Sequence, residues 1–202
     1  IALNLATSGG ASYCDVRIGR YLQQSIITRE SKVQSIVSSE SIGAGIRVLV
    51  KGAWGFAATS DLTATGIGNA VQQAMLIANS NAKIQTQPVQ LAKAPALGVV
   101  SWATPIKINA MAIPVKEKAD LLLSVNAAAM NAGANFVNSQ LFLVNEQKYF
   151  ASTDGSYVDQ DIHRIWPNFT VTATDKVTGK FRTRNSLAAP MGMGYEYLAG
   201  TT

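Results

Sequence analysis

Asp159, Asp161 and His163 alternate in the stretch DQDIHR, which holds the chain's one histidine. Successive strand side chains point to opposite faces, so these three would share a face, as metal ligands do. A zinc centre needs more, usually four ligands with His or Cys among them. The sequence offers one His and one Cys. A magnesium or calcium site takes oxygen ligands and has no need of His163, and no D-x-D-x-D-G loop is present to hold such an ion. The stretch therefore reads as a solvated strand face, and no metal ligand is assigned. A zinc-peptidase helix of the H-E-x-x-H kind is excluded by the same count. A Ser-His-Asp triad needs only one histidine, but the G-x-S-x-G elbow is missing. Nothing beside Cys14 would lower its thiol pKa, so it reads as a small buried hydrophobe. No catalytic residue is assigned to this chain.

These residues must be carried by some framework, and the chain's periodicity predicts one. IALNLATSGG at 1–10 reads as the end of a helix stopped by Gly9 and Gly10. CDVRIGRYLQQSIITRE alternates as a strand, and KVQSIVSS returns from a turn near Glu30–Ser31. IRVLV and AWGFAAT form a second hairpin about Lys51-Gly52. Gly43 and Gly45 fail the dinucleotide fingerprint, since the third position is Val48 and the segment enters a strand. A helix over about 61–80 follows, capped by Asp61 or Thr63, with Met75 on its core side. Residues 83–113, punctuated by prolines, read as a connector with a strand at LGVVSW. A second main helix spans about 114–132, opening on Pro114 and closing at Gly133. The rest is β-rich. Asp154-Gly155 signals a type I′ hairpin, Pro167 implies an edge or a bulge, and FTVTATD pairs with KFRTRNS across Val177–Gly179. The fold class is α+β, with mostly antiparallel sheet packed against two main helices. The organisation is one domain over 1–202: sheet plus helix at 1–82, the connector, then helix plus sheet at 114–202.

Composition removes several function classes. Charged residues make up 14% of the 202 residues, and the formal net charge is +5. The basic residues are scattered, clustering only at Lys180, Arg182 and Arg184, which argues against nucleic-acid binding. Arg182 and Arg184 share a strand face. They would meet an acidic partner or a peptide carboxylate, or simply face solvent. No run approaches the ~18 apolar residues of a membrane span. The lone cysteine favours the cytoplasm, with export left open because the N-terminus looks trimmed.

CDVRI, TRESKVQSI and GAGIRVLVKGAWGFAATSDLT, in that order, resemble the N-terminal domain of the TldD/PmbA (TldE) family. The carrying positions are Gly45, Arg47, Trp54, Gly55 and Phe56, followed by Asp61. IPVKEKADLL resembles the helix after that domain's connector, and YFASTDGSYVDQDI and GKFRTRNSLAAPMGMGYEYL its closing strands, so the likeness covers nearly the whole chain as one N-terminal domain. It is nearer to TldD than to PmbA. The resemblance implies a zinc metallopeptidase whose His-Glu…His motif lies in a C-terminal domain absent from this chain. It also implies a dimer with a PmbA/TldE-like subunit or with itself, and extended peptide as substrate. The part at hand would then serve assembly, access restriction or substrate docking along an exposed edge such as QQSIITRE or FTVTATD. The alternative is a stand-alone peptide- or protein-binding module without activity. Trp54, Gly55 and Phe56 read as core, with the lining of a peptide groove as their other use.

Overall fold

The computed structural model describes residues 1–199. Seven strands form one antiparallel sheet with the order β3-β2-β1-β5-β6-β4, and β7 pairs with β6. In chain order the elements are α1 (Ala2–Ser8), β1 (Tyr13–Arg29), β2 (Lys32–Val50), β3 (Ala53–Thr59), α2 (Ala64–Asn81), β4 (Gly98–Ala103), α3 (Val115–Asn131), β5 (Phe136–Ser152), β6 (Ser156–Thr174), β7 (Phe181–Asn185) and the short α4 (Glu196–Ala199). The α+β expectation holds, and both main helices lie where the periodicity put them. Among the described residues, no helix is long and apolar enough to cross a membrane.

The residues gather into two compact units. The first comprises Ile1–Arg20, Ser41–Trp102 and Glu146–Asp161. The second comprises Tyr21–Glu40, Ala103–Asn145 and the chain from Ile162 onward. In the first unit, Cys14 and Val16 of β1 and Ala44, Ile46, Val48 and Val50 of β2 form one buried face. Helix α2 lies on that face with Ile67, Ala70, Val71, Ala74 and Ala78. The i, i+3, i+4 spacing of these residues makes the stripe. Thr63 caps the helix by accepting a hydrogen bond from the Gly66 N–H, and Asp61 accepts one from the Thr63 N–H. The β2–β3 hairpin turns at Lys51 and Gly52, both at positive φ (50° and 76°), the backbone that a two-residue type I′ turn requires.

In the second unit, Ile26, Leu141, Leu143 and Ile165 pack with Ala119 and Leu122 of α3 and with Tyr195. Pro114 is the N-cap of α3, one position earlier than expected. Gly133, at φ 100°, follows the helix end, an angle that glycine adopts without a Cβ penalty. The β6–β7 hairpin pairs Thr170 with Asn185 through Thr174 with Phe181.

Several expectations are corrected. KVQSIVSS and IRVLV are one 19-residue strand, since β2 runs unbroken through Gly43 and Gly45. The loop at Asp154-Gly155 has three residues, and only Gly155 has positive φ (84°). It is therefore a glycine-closed three-residue loop and not a type I′ turn. Pro167 lies within β6, between the Ile165–Met191 bridge and the first β7 pair at Thr170, where no ladder bond from its nitrogen is needed. QQSIITRE belongs to β1, which lies between β2 and β5, so it is no edge. FTVTATD is paired with β7.

Candidate functional site

The hairpin register explains how the first unit sorts its residues. Leu49 faces Trp54, and Arg47 faces Phe56. Residues directly opposite, or two apart, share a face. Arg47, Leu49, Trp54 and Phe56 therefore lie on the side away from α2, with Tyr13, Asp15 and Arg17 of β1. Of the positions that carried the family likeness, Gly55 alone faces α2. A Cβ there would lie 1.9 Å from the Ala74 carbonyl oxygen and 2.7 Å from the Ala78 nitrogen. Gly55 is thus the point where strand and helix backbones touch. Gly45 leaves room instead for the ring of Phe56, whose Cε2 would be 3.1 Å from an added Cβ. Phe56 itself is 56% exposed, not in the core.

Asp15 organises the far face. Its carboxylate is fully buried, and Arg47 donates from Nε (2.9 Å) and Nη2 (2.6 Å) to Oδ2. Arg17 Nη1 stands 3.0 Å from Oδ1. That second approach is a charge contact without hydrogen-bond alignment, because Oδ1 has no hydrogen-bond partner. The Arg47 guanidinium also lies 4.5 Å over the Trp54 ring, and Tyr13 meets Trp54 edge to face at 5.8 Å. Stacking and a fork-shaped pair are what guanidinium supplies and ammonium does not. Burial first, then the Asp15 carboxylate, pushes the Tyr13 hydroxyl pKa up. Burial opposes the charge on Arg47, but its bonds to Asp15 outweigh this and raise its pKa.

Tyr13, Arg47 and Trp54 form one wall of an open cavity of about 630 Å3, lined also by Ser12, Leu91–Ala94 and Asp154. Its residues can hold a cation over an aromatic ring or meet a carboxylate through Lys93. Cys14, on the opposite face of β1, is fully buried. Burial, then Asp15, pushes its thiol up to about 11, so it is an inert core residue.

In the second unit, His163 is buried and not on a solvated face. Its Nε2 lies 3.2 Å from the Asn145 side-chain nitrogen, and its backbone N–H donates to Thr104 Oγ1 at 3.0 Å. Asp159 is exposed and Asp161 half-buried. Among the described residues, no three His, Cys, Asp or Glu side chains come together as a metal site would require. The described side chains therefore do not fit a zinc ion. Arg182 and Arg184 are both exposed on β7.

Three buried polar residues escaped the sequence reading. Asn126 of α3 donates to Thr28 Oγ1 and to the Glu30 carbonyl, and it accepts from Ser139. The Lys118 ammonium is buried and donates to the Ala110 carbonyl at 2.9 Å; burial lowers its pKa. Glu196 accepts from the backbone N–H groups of Lys107, Ile108 and Gly194. Burial works against its charge, but these donors prevail and hold it down to about 2.

The architecture is that of a two-unit α+β segment built on long antiparallel strands, with a buried carboxylate paired to a partly exposed guanidinium. Family profiles agree in order along the chain: PmbA/TldA metallopeptidase domain 1 matches residues 14–78, and the central domain of the same family matches residues 110–200. The chain belongs to the PmbA/TldD metallopeptidase family. It is 21% identical over 152 residues to a metalloprotease of Methanocaldococcus jannaschii, covering 75% of this chain and 34% of that protein. The fold is shared with a candidate modulator of a DNA gyrase from Thermotoga maritima: TM-score 0.70, 14% identity, covering 95% of this chain and 42% of that one. It is shared too with TldE from Thermococcus kodakarensis: TM-score 0.63, 13% identity, covering 91% and 41%. The chain thus spans about a third of the curated relative and under half of each solved structure.

Proposed function

We propose that this chain supplies the first and central domains of a TldD-type zinc metallopeptidase of the cytoplasm that cuts unfolded peptides. Its part is assembly, restriction of access and substrate docking, while the chemistry belongs to a further domain. The observation that carries this reading is the ordered match of two domains of one metallopeptidase family. A zinc peptidase polarises the scissile carbonyl and activates water at the metal, so the ligands would come from elsewhere in the parent protein. Partners on this reading are a PmbA/TldE-like subunit or a second copy, and an extended peptide. On this reading Arg182 and Arg184, exposed on β7, would meet a peptide carboxylate or an acidic partner.

The test is the reading frame beyond Thr202 in the source gene, followed by metal analysis. A further domain with a His-Glu…His motif and a later cysteine is expected. The 202-residue chain alone should bind no stoichiometric zinc and cleave no peptide, while the longer product should do both and lose activity to a chelator. Stoichiometric zinc and chelator-sensitive cleavage by residues 1–202 would overturn the division of labour. A frame that stops at Thr202 would leave a binding module.

A further inference from the structure

Strand β7 lies at a sheet margin in the second unit, paired with β6 alone. All of Phe181–Asn185 is exposed. The register with β6 runs without a bulge from Thr170–Asn185 to Thr174–Phe181. The Asp175 N–H donates to the Lys180 carbonyl at 2.7 Å, and the Ser186 N–H to the Phe169 carbonyl at 2.8 Å. Bonded pairs recur at every second residue of an antiparallel ladder. Arg182 and Arg184 therefore turn their backbone groups to β6, while Phe181, Thr183 and Asn185 turn theirs outward. The Phe181 carbonyl accepts from Arg182 Nη1 at 3.2 Å. The arginine side chains share a face with Ala173 and Val171, and Phe181, 64% exposed, stands on the other face with Thr183. Among the described residues neither arginine meets a carboxylate. Asp175, the acid of this hairpin, is engaged by Val177 and Thr178 within its own turn. Lys176 and Lys180 are exposed in the same loop and add to the positive charge.

We propose that the outer edge of β7 takes an extended acidic peptide as an added antiparallel strand, with Asp or Glu at alternate positions opposite Arg184 and Arg182. In such pairing the main chain supplies affinity and alternate side chains supply choice. Phe181, Thr183 and Asn185 would make the backbone bonds. The arginines then stand at the non-bonded positions of the new ladder, where opposed side chains come closest. Residues two apart on a strand share a face, so the two acids must be separated by one residue. Read from its N-terminus, the favoured segment is acidic, any residue, acidic, apolar, with the last side chain against Phe181. A peptide N–H would take the Phe181 carbonyl and release Arg182 to a carboxylate, a charge-assisted and stronger acceptor. Shortness and charge ordinarily keep strands off an edge. Here they turn away neutral and basic strands and favour an acidic one, so the same residues both exclude and select. The inference rests on the docking role proposed above and names the feature that is docked. Its failure leaves the reading-frame and metal tests of that role unchanged.

The test is fluorescence anisotropy of the 202-residue chain with end-blocked, fluorescein-labelled peptides at low salt. Ser-Thr-Glu-Thr-Glu-Val-Ser should bind about tenfold more tightly than Ser-Thr-Lys-Thr-Lys-Val-Ser, since opposite charges replace like ones at two cross-strand positions. It should bind about threefold more tightly than Ser-Thr-Thr-Glu-Glu-Val-Ser, which has the same charge but only one acid on the arginine face. Methylating the backbone nitrogen of the threonine between the glutamates removes the N–H that meets Thr183 and should cost about tenfold. Arg182→Glu/Arg184→Glu, with its fold checked by circular dichroism, should reverse the preference towards the lysine peptide. No saturable binding of the alternating peptide, equal affinity for the two acidic isomers, indifference to the N-methyl group, or a preference unchanged in the double variant would each overturn the pairing. Retention on phosphatidylglycerol vesicles without affinity for the alternating peptide would overturn it too, and would make the hairpin a lipid contact.

Discussion

Gly55→Ala tests whether the strand–helix contact holds the first unit together. The added carbon would start 1.9 Å from the Ala74 carbonyl oxygen and also press on Ala78. Both are backbone positions of α2, so no side-chain rotation relieves the clash. Strand and helix must separate by roughly 1 Å, and a gap of that size forfeits about a quarter to a half of each dispersion contact. The face that would lift carries Ile67 and Val71 with Ala70, Ala74 and Ala78. Ile67 and Val71 are each worth ~1.5–3 kcal/mol when buried. The expected loss is about 2–3 kcal/mol, at the upper end of overpacking costs. Urea unfolding followed by circular dichroism reads it. Gly68→Ala is the control, in the same helix but with only Leu5 Cδ1 within 4 Å, at 3.8 Å. It should gain ~0.5–1 kcal/mol from helix propensity alone. A Gly55→Ala protein within 0.5 kcal/mol of the parent (about the scatter of ordinary surface changes) would refute the backbone-contact account.

Other outcomes follow from the same geometry. Asp15→Asn leaves Arg47 and Arg17 without their charge partner; because both guanidinium groups reach solvent, the loss should fall below the ~3–5 kcal/mol of a fully buried pair, near 2, by urea unfolding. Arg47→Lys should cost about 1 kcal/mol by forfeiting the fork and the Trp54 stack, and Trp54 fluorescence should shift with it. The Glu196 pKa is depressed in the folded state to about 2, so its contribution is present above the ordinary carboxylate pKa near 4.5 and is lost as pH falls from there towards 2. A depression of this size corresponds to roughly 3 kcal/mol, and unfolding of Glu196→Gln between pH 5 and 2 should show a correspondingly flatter pH dependence. Cys14, with its thiol near 11, should resist a disulfide reagent at pH 8 until denaturant is added.

Much of the frame was legible because alternation and turn chemistry are local. Cys14, Val16 and Ile18 marked the face that α2 covers, Lys51-Gly52 marked a turn, and Thr63 and Gly133 marked helix ends. What escaped depended on partners distant in the chain. Asp15 reads as a surface charge until Arg47, 32 positions away, arrives to neutralise it. Phe56 looked like core beside Trp54, yet the register puts it on the face away from α2, over Gly45. Lys118, Asn126 and Glu196 sit in helices or loops whose polar residues ordinarily face water, and only packing reveals that backbone groups accept or supply their bonds. His163 was misread for the same reason, since a strand's alternation does not say which face is covered. The candidate site was the least legible part: its residue types were in view, but the charge pair linking β1 to β2 was not.

The pairing of β1 carries a consequence for synthesis. Cys14 hydrogen-bonds through its backbone to Thr153, 139 residues further along. A ribosome adding ~5–20 residues per second delivers that partner roughly 7–28 s after Cys14. Once β2 is complete at Val50, one side of β1 still has no strand to meet until β5 is made. The nascent hairpin thus carries a temporary open flank long enough for chaperone capture, or for aggregation with neighbouring chains on the same message. Codon choice between α2 and β5 becomes a lever on yield that no property of the finished protein would reveal.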